Sequence, residues 1–225
     1  MSGVMIRSLF AMVIGLAFVS GCTAAQRPDS PPPAAAPPSD QVGPLPADCT
    51  DRITEPEQTG AALEQVRPGG SVCLSGDDLT DAELEVTSSG TPQQPITIVA
   101  DGATVRSMDV KADYVIIQGL TLRDGDGLTM AGRGLVVRNN VIYNAAEHGL
   151  ACLGCVDTLI ESNIVQRADG TGIYVAGEQI TVRDNTVSES MARTQNDADG
   201  IRFFGVGHRV IGNTIKDIKA SGYGD

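Results

Sequence analysis

The stretch DGLTMAGRGLVVRNNVIYNAAEHGLACLGCVDTLIESNIVQRADGTGIYV, residues 126–175, states the same phrase twice and begins it a third time. A glycine followed by an apolar residue recurs at Gly127-Leu128, Gly149-Leu150, Gly172-Ile173, Gly200-Ile201 and Gly222-Tyr223. Asn140, Asn163, Asn185 and Asn213 keep step with it, 13, 14, 13 and 13 residues after the first four glycines, and Gly119 stands in for the Asn one repeat earlier. Short β-branched runs flank each Asn, as in Leu135-Val136-Val137 and Val141-Ile142, and a third run follows each Gly, as in Ile173-Tyr174-Val175. Runs of this length between Gly, Asn and Asp predict three short strands and three turns per repeat. One such turn cannot bury its apolar side, whereas stacked copies can, which is the logic of a solenoid. Asn suits the sharp turn because it tolerates the left-handed backbone region and its amide can hydrogen-bond along the stack.

These residues resemble the right-handed parallel β-helix family, the pectin-lyase-like fold, over roughly residues 57–225. The resemblance implies an all-β, single-stranded right-handed parallel β-helix solenoid with an N-terminal capping helix. The pattern Ala61, Ala62, Leu63, Val66, ended by Pro68-Gly69-Gly70, predicts that helix over Glu57 to Val66, and the regular coils are expected from Tyr114 onward. The repeat breaks off at Asp225, just after Gly222, so the last coil is expected to be incomplete, by truncation or with end-to-end pairing of two copies.

Residues 1–21 read as a secretory signal, with one cation, Arg7, and an apolar run from Ser8 to Val19 too short to span a bilayer. Val19-Ser20-Gly21-Cys22 resembles a bacterial lipobox, which implies acylation of Cys22, a membrane anchor and an extracytoplasmic location in the bacterial envelope. Residues 22–56 carry that Cys and a Pro/Ala-rich tether; residues 57–225 form the β-helix domain. Cys49, Cys73, Cys152 and Cys155 remain, and an exported protein keeps disulfides. Of three connectivities, Cys49–Cys73 and Cys152–Cys155 are favoured, with zinc at the CxxC as the rival.

The net charge of −12 argues against a nucleic-acid partner, which wants a basic surface. If the residue after each repeat Gly points inward, alternation is expected to place two columns outward, Asp126, His148, Thr171, Asp199 and Ser221, then Thr129, Ala151, Tyr174 and Arg202. Acids, a histidine, an arginine and a tyrosine on one face suit a carbohydrate: carboxylates for acid–base work, Arg for uronate carboxyls and aromatics for sugar faces. Asp199, His148 and Arg202 are the catalytic candidates; Asp126, Tyr174 and Asp197 are the substrate-binding ones. An insertion, Ser188 to Asp199, is expected to wall this face.

Asn196-Asp197-Ala198-Asp199-Gly200-Ile201 loosely resembles the Asn-x-Asp-Gly segment of the polygalacturonase branch, which implies acids at Asp199 and Asp197; that branch's other signature segments are absent. Gly90-Thr91-Pro92 and Pro95-Ile96-Thr97-Ile98 are closer to the alginate and chondroitin lyase branch. That likeness implies a basic Lys or Arg acting on a uronate of an acidic polysaccharide, with Lys111, Arg133, Arg138 and Arg202 as the available cations. Calcium is the one cofactor in view, at Asp124-Gly125-Asp126-Gly127, where turn formation is the competing role and a full set of oxygen ligands is missing. The competing function is non-catalytic, a solenoid serving as spacer or adhesion module at the cell surface.

Overall fold

The computed structural model describes residues 49–76, 79–190 and 198–219. The signal, Cys22, Asp197 and the residues from 220 onward lie outside the described residues. The chain opens with β1 (Asp51–Ile53), helix α1 (Pro56–Gln65), β2 (Ser71–Ser75) and β3 (Glu83–Val86). Two coils follow in β4 (Ile96–Asp101), β5 (Thr104–Lys111), β6 (Val115–Gln118) and β7 (Thr121–Ala131). The next has β8 (Val136–Arg138), β9 (Val141–Tyr143) and β10 (Leu150–Val156), and the next β11 (Leu159–Glu161), β12 (Ile164–Gln166) and β13 (Ile173–Glu178). Then come β14 (Thr181–Arg183), β15 (Thr186–Ser188), β16 (Ile201–Val206), β17 (Arg209–Ile211) and β18 (Thr214–Lys216).

All the ladders between these strands are parallel, and they form three stacks. The first runs β1-β2-β4-β6-β8-β11-β14-β17. The long β5 and β7 each bend through two stacks, so that β7 pairs with β9 at one end and β10 at the other. From there β9-β12-β15-β18 form the second stack and β10-β13-β16 the third. The parallel pairing begins at β1 and β2, well before Tyr114. Three strands per repeat are thus present, and the inward columns line the lumen: Ile117, Val137, Ile160 and Val182 in the first stack; Leu122, Ile142, Val165 and Val187 in the second; Leu128, Leu150 and Ile173 in the third. Each of these is at most 1% exposed. In the last described coil Val210, Ile215 and Ile201 extend the three columns; Val210 and Ile215 are about half exposed, no described coil lying beyond them.

Helix α1 starts one residue earlier than the pattern suggested, with Pro56 at its first turn and Glu55 and Gln58 forming a capping box. Leu63 and Val66 bury their side chains in the core. Both disulfides form as expected, Cys49–Cys73 tying the first residues to β2 and Cys152–Cys155 within β10. The second pair leaves no thiolates for zinc. It spans a bulge in β10, where the register with β13 shifts between Leu153 and Cys155.

The Asn ladder is continuous, but its turns work differently from the sequence expectation. Asn163 Oδ1 accepts from the Asn140 backbone N–H at 3.1 Å and from Asn140 Nδ2 at 3.0 Å. Asn163 Nδ2 donates to Val137 O and to Asn185 Oδ1, each at 3.0 Å. Asn185 repeats the pattern with Asn213. The left-handed residue is the one before each ladder Asn: Asn139, Ser162 and Asp184 have φ of 53°, 54° and 55°, and Gly212 follows at 62°. Gly119, φ 74°, belongs to that column, and Leu120 occupies the ladder place, its N–H donating to Asn140 Oδ1. The corner therefore divides its labour: one residue bends the chain, and the next satisfies the buried polar groups that the bend exposes.

The repeat glycines answer a demand for space. A Cβ on Gly149 would stand 2.2 Å from Val165 Cγ1, one on Gly172 2.2 Å from Val187 Cγ1, and one on Gly200 2.3 Å from Ile215 Cγ2. Each glycine lets the chain pass directly over an inward β-branched side chain of the second stack. Gly172→Ala is expected to lower unfolding free energy by about 1–3 kcal/mol through overpacking, measured by urea denaturation. Asn163→Ala, which takes the shared acceptor from the Asn140 backbone and side-chain N–H groups and the side-chain donor from Val137 O, should cost about 2–4 kcal/mol in the same assay. Asn163→Asp should cost no less, since a carboxylate restores the acceptor and removes the donor.

Candidate functional site

Register fixes one outward column on the third stack and the strands leading into it. Glu85 pairs with Asp109, Asp109 with Thr129, Thr129 with Ala151, Ala151 with Tyr174, and Tyr174 with Arg202. The second expected column is therefore real. The first arises otherwise than by alternation: β10, β13 and β16 begin one residue after the repeat Gly, so His148, Thr171 and Asp199 lie in the bend that feeds each strand. Backbone bonds stack these bends, from Gly149 N–H to Thr171 O at 3.1 Å and from Gly172 N–H to Asp199 O at 2.9 Å.

The bend and the strand meet in one cluster. The His148 and Tyr174 rings stack at 4.8 Å with 12° between their planes, and Phe204 tilts against Tyr174 at 5.7 Å. Arg202 Nε lies 2.5 Å from Asp199 Oδ2, and the Thr171 hydroxyl reaches the same oxygen at 3.5 Å. His148 is half-buried, and its Nδ1 is buried with no hydrogen-bond partner. Burial pushes its pKa below the ordinary imidazole value and Arg202 adds to this, against the opposing fields of Glu147 and Asp199. The neutral ring is thus favoured, and its unprotonated nitrogen can accept a hydrogen bond. Stacked rings beside a carboxylate and a guanidinium offer an apolar surface and polar groups together.

Asp126 stands apart from this cluster. It lines a cleft of about 450 Å³ with Glu83, Glu85, Ser107, Met108 and Asp109. Lys111 bridges two of those acids, 2.5 Å from Asp109 and 3.8 Å from Glu85. Of the four candidate cations only Arg202 reaches the cluster: Arg133 pairs with Asp157, and Arg138 is buried on the first stack with its guanidinium on Gln118. At the expected calcium segment, Asp124 accepts from Asn144 at 2.6 Å and from Arg123 at 3.1 Å, holding the turn. Among the described residues no group of three or more His, Cys, Asp or Glu side chains is placed to hold a metal ion. The insertion begins later than expected, since Ser188 still belongs to β15, and residues 191–197 lie outside the described residues.

Two groups escaped the sequence reading. Phe204 lies two residues beyond Arg202 on the same alternation, a signal that was available. Tyr143 carries the Arg123 guanidinium at 5.0 Å and that of Arg167 at 5.7 Å, on the second stack, and no single repeat column announces that meeting.

A family model described as a right-handed β-helix region matches residues 97–215, more than half of the chain. The solved structure of the PL6 family alginate lyase AlyGC aligns over 68% of this chain and 26% of its own, at 15% identity and a TM-score of 0.49. The alginate lyase from Paenibacillus sp. str. FPU-7 aligns over 79% of this chain and 100% of its own, at 15% identity and a TM-score of 0.40. This chain thus spans about a quarter of the first of these. No curated protein matches it by sequence. With the family match covering the three stacked columns and the Asn ladder that joins them, the chain belongs to the right-handed β-helix family.

Proposed function

We propose that this protein binds polysaccharide across the outer face of the third stack, with His148, Tyr174, Asp199 and Arg202 as the contact group. The observation that carries this reading is the His148–Tyr174 stack set directly beside the Asp199–Arg202 pair. A sugar ring has an apolar face that lies on aromatic rings and a rim of hydroxyls that pairs with carboxylate and guanidinium. The parallel sheet repeats its side chains at the ordinary strand spacing of about 4.8 Å, so a chain of sugars has a rigid surface to follow.

The amino-terminal reading completes the proposal. Acylation at Cys22 would hold the protein to the outer side of a bacterial membrane, and the proline-rich tether of residues 22–56 would carry the solenoid away from it. The lipobox-like Val19-Ser20-Gly21-Cys22 supports this.

Tyr174→Ala is expected to weaken binding of soluble oligosaccharides about tenfold, the order of a lost aromatic contact, while Tyr143→Ala on the second stack leaves it unchanged, both read by calorimetry. Equal binding by wild type and Tyr174→Ala would sink the reading. New reducing ends or unsaturated uronates appearing in the same mixtures would add turnover to it. Separately, Cys22→Ala should move the expressed protein from the detergent-extracted membrane fraction to the soluble one and remove the acyl increment from its intact mass.

A further inference from the structure

The charge arrangement of the cluster bears on which glycan it takes, an inference that rests on the polysaccharide reading above. A polyuronate needs a cation to receive its carboxylates, and Arg202 is the only Lys or Arg among the four sequence candidates that reaches the cluster. Its Nε lies 2.5 Å from Asp199 Oδ2, with side-chain exposures of 29% for Arg202 and 22% for Asp199. At that depth the effective dielectric is well below that of water, so the carboxylate cancels the guanidinium at close range. An arriving uronate would have to displace Asp199 or lie against it.

The remaining field on this face has the same sign. Glu147 and Asp199 both act on His148, farther along the column stand Glu85 and Asp109, and Glu83 and Asp126 line the cleft beside them, with Lys111 and Arg106 held in ion pairs among these acids. The whole chain carries −12. What the cluster presents without an electrostatic cost is a pair of stacked rings and a carboxylate that can accept hydrogen bonds from sugar hydroxyls.

We infer that Asp199 is a specificity-determining residue: by holding Arg202 in an ion pair, it makes the groove select uncharged sugar chains against polyuronates. Thr171, whose hydroxyl meets the same carboxylate oxygen at 3.5 Å, helps to aim it.

The test compares the full chain with Asp199→Asn and Asp199→Ser, binding a neutral β-glucan oligosaccharide and an oligouronate of equal length at low and high salt. The readout is the ratio of the two affinities, because a partial loss of fold lowers both alike. Wild type is expected to prefer the neutral chain by about tenfold or more, one unit charge being worth on the order of that factor at a partly buried site. Either variant should raise uronate affinity about tenfold, with the gain lost at high salt and in Asp199→Asn/Arg202→Gln. If wild type prefers the uronate, or if uronate affinity is unchanged in both variants while the neutral chain still binds, the specificity role is wrong and the polysaccharide reading stands. If wild type binds neither chain, the polysaccharide reading fails and the inference fails with it.

Discussion

Burying a corner of backbone in every coil is the constraint on which this molecule depends. A chain that turns sharply inside a solenoid leaves N–H and C=O groups facing the lumen wall, where no water can satisfy them. Asn140, Asn163 and Asn185 are each 1% exposed, and their amides answer this by linking each coil to the next through the same two kinds of bond. Because an amide both donates and accepts, the column can be extended one coil at a time without a mismatch. Cooperative stacking of this kind makes each repeat stable only in the presence of its neighbours.

The second constraint is volume, and it shapes the site. The glycines at 149, 172 and 200 bring the backbone down onto Val165, Val187 and Ile215, which pins the bend immediately before each third-stack strand. Residues one step upstream of those glycines thereby acquire fixed positions although they belong to no regular strand. His148, Thr171 and Asp199 are such residues, and the strand residues Tyr174 and Arg202 rise beside them. Packing inside the lumen thus sets the geometry of the chemistry outside it.

This explains what could be read from the sequence and what could not. The urea tests above address features visible as a repeat, and the period of the Gly and Asn columns revealed the fold and the three strands of each coil, while both disulfide pairings were favoured only from where the cysteines fall along the chain. Single-residue phase was harder: Asn139, Ser162, Asp184 and Gly119 take the left-handed turn, and the ladder residues beside them do not, because the ladder role needs an amide while the bend needs only tolerance of positive φ. At the site, alternation predicted the Tyr174–Arg202 pairing correctly, since strands keep their parity. It gave the wrong reason for His148 and Asp199, which sit in a bend where parity has no meaning. It also assigned Asp126 to the cluster, although β7 continues as strand through Asp126 and carries it into the cleft with Glu83 and Asp109. Contacts between columns, such as Tyr143 with two arginines, depend on side-chain reach across coils, which a one-dimensional repeat does not encode.

Net charge and local charge also lead to different conclusions about this face. A total of −12 says only that bulk attraction to an acidic polymer is weak, and a lone arginine in a groove could overcome it. The decisive quantity is the partner of that arginine. Asp199 enters from the bend and Arg202 from the strand three residues later, so the pair is made by the corner itself. A neutral residue at position 199 would keep the stacked rings and withdraw this carboxylate from the Arg202 guanidinium. On the specificity inference, the charge this face accepts is set at a single bend residue, apart from the ladder and the lumen that hold the coil together.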